Sequence, residues 1–347
     1  IILIKILFMI EKVINSKNKA LIKQKWQVGD LPIRLGHPYS YPDTGSKPFI
    51  LDCDTFQGIY HYLSAYYIVK KTPKYIKHPN IKKYLNKLRE IFNKAHNELL
   101  PYKTAEKIYV EGQSHVRSQD ISFIKKYSKL KKDIVHIDTG PGLGDMCPTI
   151  RLGYNTKYFG VEATPLTYSV QREFIKLLFY NTNYKKIYDV VEAEDYKNFT
   201  EIKKDINDRK YKTIHLPSWY FDQIKKKSAD LVTSTFMLNE LTTSGLCWLI
   251  SNAINALKIG GYFYIRDSYI LKPGCHQINY DNLLKKLGFE EIAFYRIKNR
   301  LDFYGIPRLY KKTKNIKISF EKLAKSIIGK YGVVAAGDAR SYNLPKK

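Results

Sequence analysis

Cysteine is scarce in this chain: Cys53, Cys147, Cys247 and Cys275 are scattered through 347 residues. None sits in a C-x-x-C pair, which argues against a disulfide framework and against a structural zinc site. Such usage fits a reducing compartment, and a cytoplasmic location is expected. Long apolar runs are missing as well; none reaches the roughly 18–20 residues that cross a bilayer. The opening I-I-L-I-K-I-L-F-M-I is short, is interrupted by Lys5 and has no small-residue cleavage site after it. It does not read as a secretory leader; the expectation is upstream sequence ahead of a start at Met9. Acidic residues are few, 32 against 59 Lys and Arg, and the formal charge is therefore +27.

A surplus of that size suits nucleic acid or an anionic membrane surface. The surplus is mostly lysine, spread along the chain with Ile, Asn and Tyr, a pattern that A/T-rich codons alone produce. Arginine, the residue that forks phosphates and base edges, is sparse. Nucleic acid is therefore the less favoured partner. With 44% hydrophobic residues, the chain is long enough for one substantial core and a smaller accessory region.

Along the chain, residues 30–54 carry closely spaced Pro and Gly and read as irregular. Residues 54–102 read as helical. Asp54 or Thr55 is placed to cap a first helix, and the run from Ile81 to Leu100 is amphipathic. From Ile134 the rhythm changes to short apolar strands: Ile134–Asp138, Tyr158–Glu162, Lys212–Leu216, Asp230–Thr235, Tyr262–Asp267, Glu291–Ile297 and Ile306–Lys311. Helical patterns separate the first five, whereas the last two have none between them and should pair antiparallel. The expected fold is α/β: a doubly wound, Rossmann-like, mostly parallel seven-stranded sheet with an antiparallel last strand, behind an N-terminal helical region. Three segments follow: an irregular and helical accessory region at 1–119, the sheet domain at 120–312, and a basic amphipathic tail at 313–347.

The stretch D-T-G-P-G-L-G-D, Asp138 to Asp145, carries the chemistry. A P-loop needs G-x-x-x-x-G-K-[ST], and no Lys-Ser or Lys-Thr follows these glycines. The dinucleotide fingerprint puts its third glycine three positions after the second, but Gly140, Gly142 and Gly144 are spaced by two throughout. Asp138, just ahead of them, would repel a pyrophosphate and suits a cationic group instead. Glu162 ends the next strand, where a carboxylate accepts both hydroxyls of a ribose. Ribose at one end, an ammonium at the other and no phosphate describe S-adenosylmethionine.

On these residues the chain resembles the class I S-adenosylmethionine (SAM) dependent methyltransferases, over roughly 120–312. The resemblance implies that Asp138 and the backbone of Gly140, Gly142 and Gly144 lie along the methionine part. It implies also that Glu162 grips the ribose and that Ala163 lies against the adenine. Many family members hold the adenine amino group with a carboxylate after the third strand. Here that strand runs into H-L-P-S-W; the backbone of Leu216 and Ser218 with the ring of Trp219 is one substitute, and Trp219 as a core residue is the equal alternative.

For the acceptor, L-P-S-W differs in place from the N-P-P-Y signature of enzymes that methylate base amines, and no cysteine is placed to attack a pyrimidine. The run A-D-L-V-T-S-T-F-M-L-N-E-L is similar to sugar O-methyltransferases of bacterial surface-polysaccharide clusters, with Leu241 where they carry Met. Methylating a hydroxyl at neutral pH requires a general base. Glu240 and His276, in the loops after the fourth and fifth strands, are the candidates. Asp267 with Glu240 is thin support for a divalent ion, and no metal is expected. The expected partner is a small or glycan acceptor. A homodimer contact through Tyr60, Tyr62, Tyr66 and Tyr67, and a membrane surface met by the tail, are further expectations. The competing readings are an RNA methyltransferase that uses the basic surface and a non-catalytic SAM-binding scaffold.

Overall fold

The structure, a computed structural model, describes residues 2–23, 77–99, 106–163, 165–179, 187–235, 237–238, 243–267, 280–295, 306–316 and 323. Among the described residues three helices precede the sheet: α1 (Ile2–Lys23), α2 (Ile81–Leu99) and α3 (Glu106–Tyr127). In α1 the residues Ile6, Met9, Ile10 and Val13 recur at helical spacing and all are buried. Ile6, expected as upstream sequence, is fully buried in a cluster with Phe92 and Phe174. Helix α2 matches the amphipathic run and turns Tyr84, Leu88, Phe92 and Ala95 inward. The earlier helix, and the tyrosines at 60–67, lie outside the described residues.

The sheet then builds in alternation with helices. In chain order it comprises β1 (Asp133–Thr139), α4 (Met146–Arg151), β2 (Asn155–Glu162), α5 (Pro165–Phe179), β3 (Ile187–Asp189), α6 (Val190–Ala193), α7 (Phe199–Asn207) and β4 (Thr213–Pro217). A 3-10 turn (Ser218–Gln223), β5 (Ala229–Thr235), α8 (Thr243–Ala256), β6 (Leu257–Asp267), α9 (Tyr280–Lys286), β7 (Phe289–Phe294) and β8 (Ile306–Lys312) complete it. Helix α7 begins on a capping box: the Asn198 side chain accepts from Glu201 N, and the Glu201 side chain accepts from Asn198 N.

The strand order is β3-β4-β2-β1-β5-β6-β8-β7. All neighbours are parallel except β8, which runs antiparallel to both β6 and β7. This is the expected doubly wound sheet, with eight strands rather than seven. The additional strand, I-Y-D, is three residues long and pairs only with β4. So short a run carries no periodicity for a sequence reading to detect.

Alternation along the strands divides the residues between two faces. Ile137, Phe159, Val161, Leu216, Val232, Phe263 and Ile265 belong to the main core. The opposite set is mixed: Ile134, Leu231 and Tyr264 pack with Ile121, Ile124 and Met146. Toward the carboxyl ends that same set becomes polar, with His136, Asp138, Tyr158, His215, Thr233, Thr235 and Arg266 all buried. Polar groups removed from water need partners, and their partners define the site.

Candidate active site

The chain moves outward from β1 to β2, β4 and β3, then returns to the other side of β1 with β5. In such sheets ligands bind beyond the carboxyl ends where the winding reverses. The glycine loop occupies that place. Gly140, Gly142 and Gly144 have φ of 58°, 58° and 85°, a region that side chains with a Cβ rarely adopt. Gly140 N donates to the Val161 carbonyl at 2.9 Å, tying the loop to β2. A Cβ on Gly140 would fall 1.5 Å from Met237 Sδ. The bare backbone here is a requirement of space as well as of conformation.

Asp138 ends β1 and is fully buried. Thr233 Oγ1 donates to its Oδ1 at 2.7 Å, and the Tyr158 hydroxyl donates to Oδ2 at 3.1 Å. His136 Nε2 lies 2.7 Å from the same Thr233 hydroxyl. Because that hydroxyl gives its proton to Asp138, His136 must donate through Nε2. Burial pushes the His136 imidazole down to about 3, so it stays neutral. Burial also pushes the Asp138 carboxyl up to about 7, against the pull of Thr233, Arg117 and Tyr158.

Helix α3 brings a second charged group to this end of the sheet. Arg117 is buried, donates to Asp120 Oδ2 at 3.0 Å and to Thr235 Oγ1 at 3.3 Å, and lies 3.8 Å from Asp145 Oδ2. Asp120 also accepts from Arg266 Nε at 2.8 Å and from the Tyr264 hydroxyl at 2.6 Å. One carboxylate between two guanidinium groups locks α3 onto β5 and β6. Burial alone would lower the Arg117 pKa, but Asp120, Asp145 and Asp138 together hold it above its ordinary value.

A third set reaches the loop from α5. Gln171 Nε2 donates to the Gly142 carbonyl at 3.3 Å, and Gln171 Oε1 lies 2.5 Å from His215 Nε2. His215 Nδ1 lies 3.1 Å from Asp189 Oδ2, and the Tyr168 ring stacks on the imidazole at 3.8 Å. Asp189 accepts as well from the Tyr168 hydroxyl and from Glu192 N, and it forms an ion pair with Arg172 Nε at 3.3 Å. Burial would raise the Asp189 carboxyl, but His215 and Arg172 hold it below its usual value. The short strand β3 thus supplies the outer anchor of a chain of contacts that ends at Gly142.

The remaining expected residues are distributed as follows. Glu162 is buried at the end of β2, and its Oε1 accepts from Ala163 N at 2.8 Å. Ala163 is half-buried and packs on the main core. The Ser218 carbonyl accepts from Trp248 Nε1 at 3.1 Å. Of the two places open to Trp219 the structure has the core: its ring is buried in the main core, and its Nε1 donates to Ser16 of α1 at 3.1 Å. An apolar ring beside a well-packed helix gains more from that core than from an open crevice. Glu240 and His276 lie outside the described residues, as does the Asp267 side chain. Among the described residues no group of three or more His, Cys, Asp or Glu is placed to hold a metal ion. Cys147 and Cys247 are buried, and burial pushes the Cys147 thiol up to about 12.

Arg117, Gln171, His215 and Asp189 were not singled out by sequence. The available signal was period-two polarity within apolar strands, as in V-H-I-D and T-I-H-L, which places charged and polar groups on a covered face.

No family model matches the chain, and no curated protein matches it. Solved structures do resemble it. The magnesium protoporphyrin IX methyltransferase of Synechocystis PCC 6803, solved with bound SAM, is 13% identical at a TM-score of 0.38, covering 66% of this chain and 97% of that one. The 1,6-didemethyltoxoflavin-N1-methyltransferase of Burkholderia thailandensis, solved with S-adenosylhomocysteine, is 13% identical at 0.37, covering 70% and 93%. TYW2 of M. jannaschii in complex with AdoMet is 14% identical at 0.34, covering 57% and 76%. The strand order, rather than these distant likenesses, defines the class: a doubly wound, Rossmann-like α/β protein with a glycine loop at its switch point.

Proposed function

We propose that the protein transfers a methyl group from S-adenosylmethionine to a hydroxyl of a sugar or similar small acceptor. The observation that carries this reading is the glycine loop at the carboxyl end of β1, with a buried carboxylate, Glu162, at the end of the adjacent β2. The fit to the cofactor rests on the left-handed backbone of Gly140, Gly142 and Gly144 beside two buried carboxylates, Asp138 and Glu162. The Glu162 carboxylate is suited to accept the ribose hydroxyls, and Ala163 offers a small apolar surface for the adenine. Asp138 and the Gly140–Gly144 backbone suit the methionine portion, with the Asp138 charge set against an ammonium. Trp219 takes no part, since α1 holds its ring in the core.

When bound, the cofactor supplies an electrophilic methyl on sulfur. The chain must then take the proton of the acceptor hydroxyl, and Glu240 is the proposed base, with His276 as the alternative. The hydroxyl reading rests on the residues around Glu240 and their similarity to sugar O-methyltransferases.

Two substitutions test the two parts separately. Glu162→Ala should weaken SAM binding by about 1–3 kcal/mol, because the ribose hydroxyls lose a buried partner. Glu240→Gln should leave SAM affinity unchanged and lower turnover about 10²-fold or more. Unchanged SAM binding in Glu162→Ala overturns the cofactor site. Unchanged turnover in Glu240→Gln moves the base to His276, where Gln is the matching substitution.

A further inference from the structure

Away from the glycine loop, α7 and the segment from Asp222 to Lys226 enclose a cleft of about 710 Å³. Its walls are tied together. Asn207 Nδ2 donates to the Gln223 carbonyl at 3.0 Å, and Lys225 N donates to Asn207 Oδ1 at 2.8 Å. The cleft is therefore preformed rather than a gap between independent surfaces.

Its lining is strongly basic, with Lys203 and Lys204 on one wall and Lys225 and Lys226 on the other. Among the described residues none of these four ammonium groups lies within ion-pair distance of a carboxylate. Neighbouring lysines behave differently: Lys197 and Lys210 both pair with Asp205, and Lys258 pairs with Asp230. Two carboxylates also line the cleft and reduce its charge only in part. Asp208 pairs with Lys210 at 3.3 Å, and Asp222 accepts from Gln223 Nε2. Lys203 and Lys226 sense Asp222 only at longer range. Lys157 adds a further positive charge nearby, donating to the Ile206 and Asp208 carbonyls at 3.2 and 2.7 Å, at the carboxyl end of α7.

At the other end of α7 stand two exposed rings, Tyr196 at 66% and Phe199 at 47% exposure. Phe199 and Lys203 are four residues apart and share a helix face. A row of unpaired ammonium groups leading to exposed rings is the arrangement that follows a single strand: phosphates along the charges, bases on the rings. The scarcity of arginine argues against reading base edges, but contact with backbone phosphates needs only point charges.

We propose that this cleft binds the backbone of single-stranded nucleic acid, with Phe199 and Tyr196 as its stacking platform. This binding is independent of methyl transfer and of the cofactor.

The test uses the full chain and a fluorescein-labelled 12-nucleotide oligouridylate, with anisotropy measured over a salt series. The parent should bind. Replacing Lys203, Lys204, Lys225 and Lys226 together by Gln should raise Kd about tenfold or more at moderate salt, and should reduce the log–log salt slope by about 3, at roughly 0.7 per phosphate contact. A control with the same charge change at exposed Lys82, Lys83, Lys94 and Lys131 should shift Kd no more than about threefold, since bulk charge is screened beyond a Debye length. Phe199→Ser should weaken binding about fivefold or more at all salt concentrations, because stacking is not screened. No binding by the parent, or equal losses in the cleft and control variants, overturns the proposal. So does a cleft variant that loses binding to anionic phosphatidylserine vesicles but keeps the oligonucleotide.

Discussion

His215 Nε2 and Gln171 Oε1 lie 2.5 Å apart in the interior, and the contact fixes which way Gln171 faces. The Gly142 carbonyl can only accept, so Gln171 must turn its amide nitrogen toward it and its oxygen toward His215. His215 Nε2 therefore carries a proton. On the other side of the imidazole, Asp189 accepts from two further donors, pairs with Arg172 and is the ionised partner. Gln171 is thus a positioning residue that holds the glycine loop from behind, and it also touches the space beside Gly144.

Gln171→Leu keeps the volume but leaves the His215 N–H and the Gly142 carbonyl unpaired. The expected outcome is a loss of about 1–3 kcal/mol in stability, together with weaker SAM binding. Gln171→Glu should be worse, because it sets a second carboxylate near Asp189 and turns an oxygen toward the Gly142 carbonyl. Thermal melts with parallel SAM titrations check this. Parent-like melting and affinity in Gln171→Leu would show that the bridge carries no weight.

In the proposed cofactor site, Asp138 should make SAM binding pH-dependent with a definite sign. Its carboxyl is raised by burial from 3.8 to about 7 in the folded chain. The folded form therefore holds the proton more tightly than the unfolded form. The associated stability is fully present below about pH 4, declines as pH rises, and is lost above about pH 7. An ammonium placed against Asp138 favours the carboxylate, so SAM binding near pH 6 should release close to one proton. Calorimetry in two buffers of different ionisation enthalpy measures that release. Asp138→Asn should abolish it, and an equal release from that variant would assign the proton elsewhere.

The sheet was largely legible in the sequence because the strands alternate and helices separate them; the short strand β3 was not. The glycine loop at the end of β1 and the buried Glu162 at the end of β2 were legible because a strand end followed by closely spaced glycines leaves a local mark in a few consecutive residues. The supports behind them were not. Arg117 meets Thr235 across 118 positions, and Gln171 meets Gly142 across 29. Such pairings arise only when helices dock on the sheet. Trp219 shows the converse: beside a strand end it suggested an adenine surface, but Ser16, 203 positions earlier, decides where the ring lies.

Gly140→Ala separates conformational from steric cost. The φ of 58° alone costs a residue with a Cβ about 1–2 kcal/mol. The contact with Met237 Sδ adds a clash that Met237→Ala relieves. The expected result is a destabilised single variant, partly recovered in the double variant, with SAM affinity reduced in both. A double variant that binds SAM like the parent would show that the loop tolerates a side chain and is not pressed against the ligand.

The carboxyl tail offers the last test. Phe320, Leu323, Ala324, Ile327, Ile328 and Tyr331 form one stripe at helical spacing, with Lys322, Lys325 and Lys330 off it. Most of this segment lies outside the described residues, but Leu323 is fully buried in the main core with Phe289 and Tyr310. Burying one leucine is worth about 1.5–3 kcal/mol, and a helix lying on a bilayer would instead turn that leucine toward lipid. A chain ending at Lys314 should therefore melt at lower temperature than the full chain, because the sheet around β7 and β8 loses its cover. Flotation with anionic vesicles should be the same for both. A shortened chain that melts like the full one but no longer floats would assign the stripe to the membrane and overturn its place in the core.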